Sequence, residues 1–191
     1  MYNVLDELAT MMLRKNNLLN STNALKVLGF MVKSPGREYT AGEVLANVAA
    51  SRPGVYLALR QLVTDGLVIR KERGKFTLYQ VPAGDPFIKQ FKILLNISVL
   101  RPAISSLSRF SKKIVLFGSA GRGEDSEESD VDLFILAKHI GSAQKAVKKL
   151  KLDRKIQAVI KTPSDLADFR ERNAVFYDEI MDGITLWEAG E

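Results

Sequence analysis

The sequence predicts an α+β protein built from two domains. Residues 1–82 show helical apolar periodicity followed by two short strand-like runs, and residues 112–191 alternate strand patterns with helix patterns. A segment rich in Pro and Gly at residues 82–86 separates the two patterns, as a linker does. A chain of 191 residues has room for two small domains, each with its own apolar core.

Composition narrows the class of protein before any motif is considered. The chain has no cysteine, which excludes disulfides and thiolate metal sites and favours a reducing compartment. Asp6 and Glu7 interrupt the apolar N-terminus, which therefore does not resemble a signal peptide. No apolar run has the length of a membrane span. These features predict a soluble cytoplasmic protein with no membrane partner.

Two helices are predicted at the start of the chain, followed by a third with a strong start signal. Residues 2–15 have helical spacing, and a second helix begins at Ser21 or Thr22 and ends near residues 34–36. The sequence from Thr40 to Glu43 has the form of a capping box, which predicts the start of a short helix.

A longer helix and a hairpin complete the first domain. Ser51 is suited to be an N-cap with Pro53 in the first turn, and the helix should end at Asp65-Gly66. Residues 67–70 and 76–81 then bracket a turn that contains Gly74, which predicts a β-hairpin.

Three helices and a hairpin in this order resemble a winged helix-turn-helix domain over residues 22–82. The resemblance implies that the helix from Ser51 is a recognition helix, that the hairpin is the wing, and that DNA or RNA is a partner. Many domains of this type instead bind protein or support dimers, and that alternative stays open. The residues predicted to contact nucleic acid are Arg52, Tyr56 and Arg60 on the helix and Arg70, Lys71, Arg73 and Lys75 on the wing.

Residues 83–111 are predicted to form a linker and a connecting helix. Helical periodicity runs from Phe87 to Phe110, and Pro102 should kink or split the helix. Residues 86–113 contain lysine and arginine but no acidic residue, and the whole chain has a formal net charge of +6. This basic excess favours a polyanionic partner or serves solubility alone. The apolar face of the segment either joins the two domains or forms a homodimer interface.

The richest motif lies between two apolar runs, residues 114–117 and 133–136, which read as buried strands. Gly118-Ser119 follows the first run, and Asp130 and Asp132 open the second. Alternate residues of a strand share a face, so the two carboxylates should point the same way and suit Mg²⁺. A Gly-Ser turn offers N–H groups to phosphate oxygens. The alternative is an acidic surface loop beside a hairpin.

Gly118-Ser119, ten residues, and then Asp130-x-Asp132 resemble the signature of the DNA polymerase beta-type nucleotidyltransferases. The likeness is greatest to the small minimal nucleotidyltransferases, which include antitoxin-type members. It implies a nucleotidyltransferase-fold mixed sheet with flanking helices over residues 112–191. It also implies Mg²⁺ or Mn²⁺ at Asp130 and Asp132, and ATP or another nucleoside triphosphate held by Gly118 and Ser119. Arg122 would contact the triphosphate or pair with the acidic loop, residues 124–132.

The chain departs from that family at the third carboxylate, which usually stands on the next strand. The corresponding run, residues 155–160, has no acidic residue, and Gln157 takes the expected position. Asp153 would substitute if the register differs by a few residues. Further along, the pattern predicts a basic helix at residues 142–151 and a last strand at 184–187. Residues 162–165 predict a helix start, with Thr162 or Ser164 as the cap and Pro163 near the first position, and helical pattern fills residues 166–181 with Asn173 as a break.

Two functions are therefore carried as hypotheses. The first is a Mg²⁺-dependent enzyme that moves a nucleoside monophosphate, with AMP favoured, from a triphosphate to an acceptor. A protein hydroxyl is one candidate acceptor, as in toxin–antitoxin pairs, and RNA or a small molecule are others. The second is a DNA-binding transcriptional regulator whose nucleotidyltransferase-like domain is weakly active or inactive and senses nucleotide. The Gly-Ser and Asp130-x-Asp132 motifs favour the first, and the absent carboxylate favours the second.

Overall fold

The computed structural model describes residues 22–150 and 152–190 of the chain. This part forms two compact units that divide between Ile88 and Lys89. The helix predicted over residues 2–15 lies outside the described residues. Within the described part, no helix combines the length and apolar character that crossing a membrane requires.

Over its described residues, 22–88, the first unit contains three helices and a three-stranded antiparallel sheet in the order β1-β3-β2. The predicted helices and hairpin are confirmed as elements, whereas the three-residue strand β1 was not predicted. The assignment of this unit as a winged helix-turn-helix stays a prediction. Its elements are α1 (Thr22–Met31), β1 (Glu38–Thr40), α2 (Ala41–Asn47), α3 (Arg52–Thr64), β2 (Ile69–Arg73) and β3 (Phe76–Gln80).

Both predicted helix caps of this unit are present. The Thr40 hydroxyl accepts a hydrogen bond from the Glu43 N–H, and the Glu43 carboxylate accepts one from the Thr40 N–H, which completes the capping box of α2. The Ser51 hydroxyl accepts from the Gly54 N–H and starts α3, with Pro53 in its first turn. Apolar side chains of α1 and α3 form the core of the unit, namely Val27, Leu28, Met31, Val55, Leu59 and Leu62.

The second unit is a four-stranded mixed sheet with helices on both faces. The strand order is β6-β5-β4-β7, in which only the β5–β6 pair is parallel. Helix α4 passes through Pro102 without splitting, contrary to one of the two outcomes predicted there. The elements are α4 (Pro86–Leu107), a 3₁₀ turn (Ser108–Phe110), β4 (Ser111–Phe117), α5 (Gly118–Arg122), β5 (Val131–Ala137), α6 (Ile140–Lys148), β6 (Ile156–Lys161), α7 (Pro163–Arg172), α8 (Ala174–Met181) and β7 (Ile184–Glu188).

Alternation along β5 separates two apolar layers. Leu133 and Ile135 pack in a cluster that also contains residues of α4 and α6. Phe134 faces the other side, in a cluster with Phe169 of α7 and Ile180 of α8. Because side chains alternate along a strand, Asp132 shares the face of Phe134 and lies on the side of α7 and α8.

One local prediction was wrong: residues after β4 do not form a simple Gly-Ser turn. Gly118 is instead the first residue of α5, a five-residue helix that ends at Arg122. Gly123 terminates this helix in the left-handed conformation, with φ of 67°, and its N–H bonds to the Ser119 carbonyl. The chain therefore leaves β4 through the short helix α5, which ends at the C-cap residue Gly123.

Candidate active site

The end of β4 and the start of β5 bring the two sequence motifs together. Phe117, the last residue of β4, opposes Asp132 in the antiparallel register. The next residue, Gly118, has φ of 65°, and a Cβ added to it would collide with Asp132 Oδ2. Only glycine satisfies both demands, because other residues rarely adopt this φ and any side chain would meet the carboxylate. The glycine of the motif thus lies directly against its second aspartate.

The charge of Asp130 acts on Asp132, the second residue of β5. Burial raises the pKa of Asp132, and the negative charges of Asp130 and then Glu179 raise it further. Asp130 lies just before β5 and its Oδ2 is 3.1 Å from Lys155 Nζ, a side chain that is largely exposed. A divalent cation would relieve the repulsion between these carboxylates, and all of their donor atoms are the hard oxygens that Mg²⁺ prefers. The pair therefore fits a hard cation.

Gln157 occupies the position predicted for it. In the parallel register of β5 and β6, Asp132 pairs with Gln157 and Phe134 pairs with Val159, so Gln157 stands beside Asp132 on the same face. Asp153 precedes β6 and is exposed. Among the described residues, no group of three His, Cys, Asp or Glu side chains is placed to hold a metal ion. Beside Asp132, β6 therefore carries an amide and no carboxylate.

Arg122 pairs with two carboxylates, and its contact with a triphosphate stays a prediction. Its guanidinium is 3.2 Å from Glu124 of the acidic loop and 3.2 Å from Glu179 of α8. Glu179 is not among the residues predicted for the site, because a lone glutamate on an amphipathic helix carries no motif. Its contact with Arg122 and its effect on the pKa of Asp132 place it at the margin of the site.

A cleft of about 390 Å³ opens beside the motif. It brings the first turn of α5 together with α8 and the turn that comes after it. Three carboxylates and one guanidinium provide its charge, so its net character is acidic in the absence of a cation. The lining residues are Phe117, Gly118, Gly121, Arg122, Val175, Asp178, Glu179, Asp182 and Gly183.

The loop between the Gly-Ser motif and the aspartates is fastened by charges that sequence analysis did not pair. Lys89 Nζ of α4 is 2.6 Å from Glu124, and the buried Lys92 lies next to the equally buried Asp125. Burial lowers the pKa of the Lys92 ammonium, and the Asp125 charge opposes this effect. Part of the basic excess of residues 86–113 thus balances the acidic loop within the same unit. The opposite charges of residues 86–113 and of the acidic loop were the sequence signal for this ion pairing.

The residues predicted to contact nucleic acid lie in the first unit and are exposed. Those of α3, Arg52, Tyr56 and Arg60, all face outward. On the hairpin, Arg70 is 2.6 Å from Glu72, while Lys71 and Arg73 are 3.1 and 3.3 Å from the Glu38 carboxylate. Lys75 is also exposed and follows Gly74 at the turn. Three cations of the hairpin are therefore partnered by carboxylates of their own unit.

Comparison with known proteins is informative for the second unit. Residues 106–191 match the family described as "Polymerase beta, Nucleotidyltransferase". No curated protein matches the chain. Among solved structures, the chain is similar to TrmBL2, an archaeal chromatin protein described as showing a novel mode of DNA binding. That similarity has 14% identity and a TM-score of 0.31, and covers 86% of this chain and 76% of the other, so it defines neither fold nor function here.

The family match and the geometry agree on the same part of the chain. The matched range holds the whole mixed sheet, its flanking helices α5 to α8, and the Gly118, Asp130 and Asp132 constellation. A mixed sheet with helices on both faces fits the nucleotidyltransferase fold. Residues 106–191 are therefore supported as a polymerase beta-type nucleotidyltransferase domain.

Proposed function

We propose that the chain is a divalent-metal-dependent nucleotidyltransferase with an attached nucleic-acid-binding domain. The observation that carries the first part is the close approach of Gly118 to Asp132, with the charge of Asp130 near enough to act on Asp132. The family match of residues 106–191 supports nucleotidyl transfer in general. The proposed organisation is a winged helix-turn-helix at 1–82, a connecting segment at 83–111 and the transferase domain at 112–191.

In this proposal Asp130 and Asp132 hold Mg²⁺ or Mn²⁺, and Gly118 and Ser119 bind the phosphates of ATP or another nucleoside triphosphate. A bound cation supplies Lewis-acid stabilisation of the charge on the reacting phosphates. An acceptor hydroxyl attacks the α-phosphorus, the bond to the β-phosphate oxygen breaks, and pyrophosphate leaves. The hydroxyl proton passes to solvent, because the Gln157 amide beside Asp132 cannot accept it. Arg122 must exchange its carboxylate partners for phosphate oxygens when nucleotide binds.

Calorimetry with ATP tests the site directly. We expect binding that requires Mg²⁺ or Mn²⁺ and that is lost in the Asp130→Ala, Asp132→Ala double variant. The double variant should keep its fold, because Asp130 lies outside strand β5 and neither side chain belongs to the apolar clusters. Metal-independent ATP binding that survives both substitutions would reject the proposed site.

A second function is favoured by one observation, the pairing of Gln157 with Asp132 in the β5–β6 register. An amide in place of a carboxylate holds a second cation weakly and provides no general base. The chain would then be a DNA-binding transcriptional regulator that senses nucleotide without efficient turnover. Both functions share the metal and nucleotide site, and turnover distinguishes them.

Gln157→Glu is the discriminating variant. If the missing carboxylate limits the wild-type rate, the glutamate should raise pyrophosphate release, because general-base assistance is typically worth about 10²–10⁴-fold. Asp153→Asn is the control, since Asp153 is the other acidic candidate for this role. Robust wild-type turnover that Asp153→Asn abolishes would assign the third position to Asp153 and remove the argument for an inactive sensor.

Nucleic-acid binding by the first domain is proposed from exposed basic side chains on α3 and the β2–β3 hairpin. All five residues of β2 are exposed, and three of them are basic. Backbone phosphates should dominate such binding, which then weakens steeply with salt. A protein hydroxyl as acceptor, a toxin–antitoxin role and homodimer formation are further parts of the proposal, to be tested by identifying the modified product and by ultracentrifugation.

A further inference from the structure

A largely buried cluster of charges contacts the backbone at Asp130 and has no part in the proposed chemistry. Lys92 of α4 and Asp125 of the acidic loop are only 4% and 3% exposed. Arg154, just before β6, joins them, with Nη1 at 2.6 Å from Asp125 Oδ2. Removing the charges of Lys92 and Asp125 from water is unfavourable, and replacing buried ion pairs by apolar residues is often neutral or stabilising. Stability alone is therefore a weak reason for this cluster.

The guanidinium of Arg154 contacts three separate points of the acidic loop. Its Nε donates to the Ser129 carbonyl at 2.8 Å, and its Nη2 donates to the Asp130 carbonyl at 3.2 Å. Its Nη1 forms the ion pair with Asp125. Three nitrogens at fixed angles thus determine the path of the backbone into Asp130. The single ammonium of a lysine cannot reproduce this geometry.

Helix α4 holds the other end of the same loop. Lys92 Nζ donates to the Asp125 carbonyl, and Asn96 Nδ2 donates to the Ala120 carbonyl and to Asp125 Oδ1, both at 3.1 Å. Gly123 packs so tightly against the Lys89 carbonyl that a Cβ would collide with it. Asp125 is consequently the shared anchor between α4 and Arg154. The loop is therefore held by α4 at Asp125 and by Arg154 at Asp130.

We propose that Arg154, anchored by Asp125, is a positioning residue that sets the place of the Asp130 carboxylate for metal binding. This inference rests on the proposed function, because it assigns Asp130 to a divalent cation. Arg154 contacts the Asp130 backbone and leaves its carboxylate to the largely exposed Lys155, which a cation can displace. Partners of this kind typically change metal affinity or activity by about 10- to 100-fold when they are altered.

The test uses Arg154→Lys in the full-length protein, with Arg172→Lys as the matched control. Arg172 is exposed on α7, so its substitution makes the same chemical change away from the loop. Binding of Mn²⁺ in the presence of ATP is measured from the loss of the free-ion electron paramagnetic resonance signal. Amide hydrogen exchange of the metal-free protein is measured at Ser126, Ser129 and strand β4. The Ser126 and Ser129 amides bond within the loop, to Ser129 Oγ and the Ser126 carbonyl.

We expect Arg154→Lys to weaken Mn²⁺ binding by roughly 10-fold or more and to speed exchange at Ser126 and Ser129, while β4 exchanges as in wild type. Asp125→Asn should act in the same direction, because it removes the shared anchor. Unchanged Mn²⁺ affinity and unchanged loop exchange in both variants would overturn the inference. Equal acceleration in the loop and in β4 would also overturn it, since the cluster would then only stabilise the fold.

Failure of the proposed function has a different signature. If the wild-type protein binds no Mn²⁺ with ATP, the metal site is refuted whatever the variants do. The exchange measurement still decides whether Arg154 orders the loop, because it is made on the metal-free protein. Local acceleration without any wild-type Mn²⁺ binding would refute the metal site and, with it, the role of Arg154 in positioning a ligand.

Discussion

Gly118 combines a backbone and a packing constraint at one residue. Its φ of 65° lies in the left-handed region, and a Cβ there would meet Asp132 Oδ2. We therefore expect Gly118→Ala to destabilise the second unit, by roughly 1–3 kcal/mol for the conformation alone. The same change should weaken nucleotide binding, because Asp132 would have to move. Thermal unfolding and ATP calorimetry measure the two effects.

Gly141 provides the comparison for that substitution. It lies in the first turn of α6, its φ is outside the left-handed region, and no atom lies within 4 Å of an added Cβ. Gly141→Ala should be neutral or stabilising by up to about 1 kcal/mol, because alanine favours helix over glycine. If both alanine variants behaved alike, the constraint assigned to Gly118 would be wrong.

Asp132 is placed where its charge opposes folding. Burial and the neighbouring charges of Asp130 and Glu179 raise its pKa, so the folded state binds its proton more tightly than the unfolded state does. The contribution of Asp132 to the free energy of unfolding is fully present below the ordinary aspartate pKa of 3.8, and it is lost as pH rises through the folded pKa. Removal of the charge should therefore stabilise the metal-free protein at neutral pH.

Asp132→Asn tests this relation. In buffer with EDTA at pH 7, we expect the variant to melt at a higher temperature than wild type, and the difference should shrink as pH falls toward 3.8. Added Mg²⁺ should also reduce the difference in melting temperature, because it should bind and stabilise only the wild type. A variant that melts below wild type at pH 7 would show that Asp132 makes a structural contact instead.

At the scale of elements, the capping box of α2 is the clearest link from sequence to structure. The Thr40 hydroxyl and N–H both engage Glu43, and these hydrogen bonds lower the pKa of the Glu43 carboxyl. Loss of such a cap typically costs about 1 kcal/mol. We expect Thr40→Ala to speed amide exchange across α2, whereas Thr40→Ser, which keeps the hydroxyl, should remain close to wild type.

The pH dependence of this cap has the opposite sign to that of Asp132. Because the folded pKa of Glu43 is lowered, the stability it contributes is present above the ordinary value of 4.5 and is lost as pH falls through the folded pKa. The cost of Thr40→Ala should thus diminish in acid. If Thr40→Ser were as damaging as Thr40→Ala, the effect would belong to the strand position of Thr40 and not to its hydroxyl.

Elements with local signals were predictable, and those set by distant partners were not. Cap residues marked the starts of α2, α3 and α7, and apolar runs marked the strands. Strand β1 escaped notice because three residues carry no periodicity, and its pairing with β3 decides its conformation. The sequence predicts a turn at Gly118, where α5 begins, since a helix of five residues is too short to show helical periodicity.

The same distinction separates the parts of the candidate site. Gly118, Ser119, Asp130 and Asp132 follow one another within fifteen residues, so a motif could find them. Arg154 and Glu179 reach the site from separate elements, through contacts 24 to 57 residues apart in sequence. Only the fold brings them near, because a lone charged residue has no pattern of its own. Charge complementarity between residues 86–113 and the acidic loop was the one sequence signal for the internal pairing.

At the scale of the whole molecule, a formal net charge of +6 favours a polyanionic partner, yet the basic hairpin is partly neutralised by its own carboxylates. Glu38 contacts both Lys71 and Arg73, at 3.1 and 3.3 Å. Phosphates must compete with this carboxylate if the hairpin binds nucleic acid. We therefore expect Lys71 and Arg73 to contribute more to nucleic-acid affinity when the charge of Glu38 is removed than they do in the wild type.

Glu38→Gln is the substitution that tests this competition. It frees Lys71 and Arg73, so we expect tighter binding to duplex DNA and a steeper dependence of log affinity on log salt, by about 0.9 for each additional phosphate contact. Glu188→Gln is the matched control, since Glu188 pairs with Lys113 in the second unit and its loss raises the net charge equally. Mobility shifts across a salt series measure both variants.

Equal gains from the two substitutions would attribute binding to net charge. If no form bound nucleic acid at low salt, the first unit would instead be assigned a protein partner. A gain confined to Glu38→Gln would place the phosphate contacts on the β2–β3 hairpin, because only there does the substitution release two cations at once.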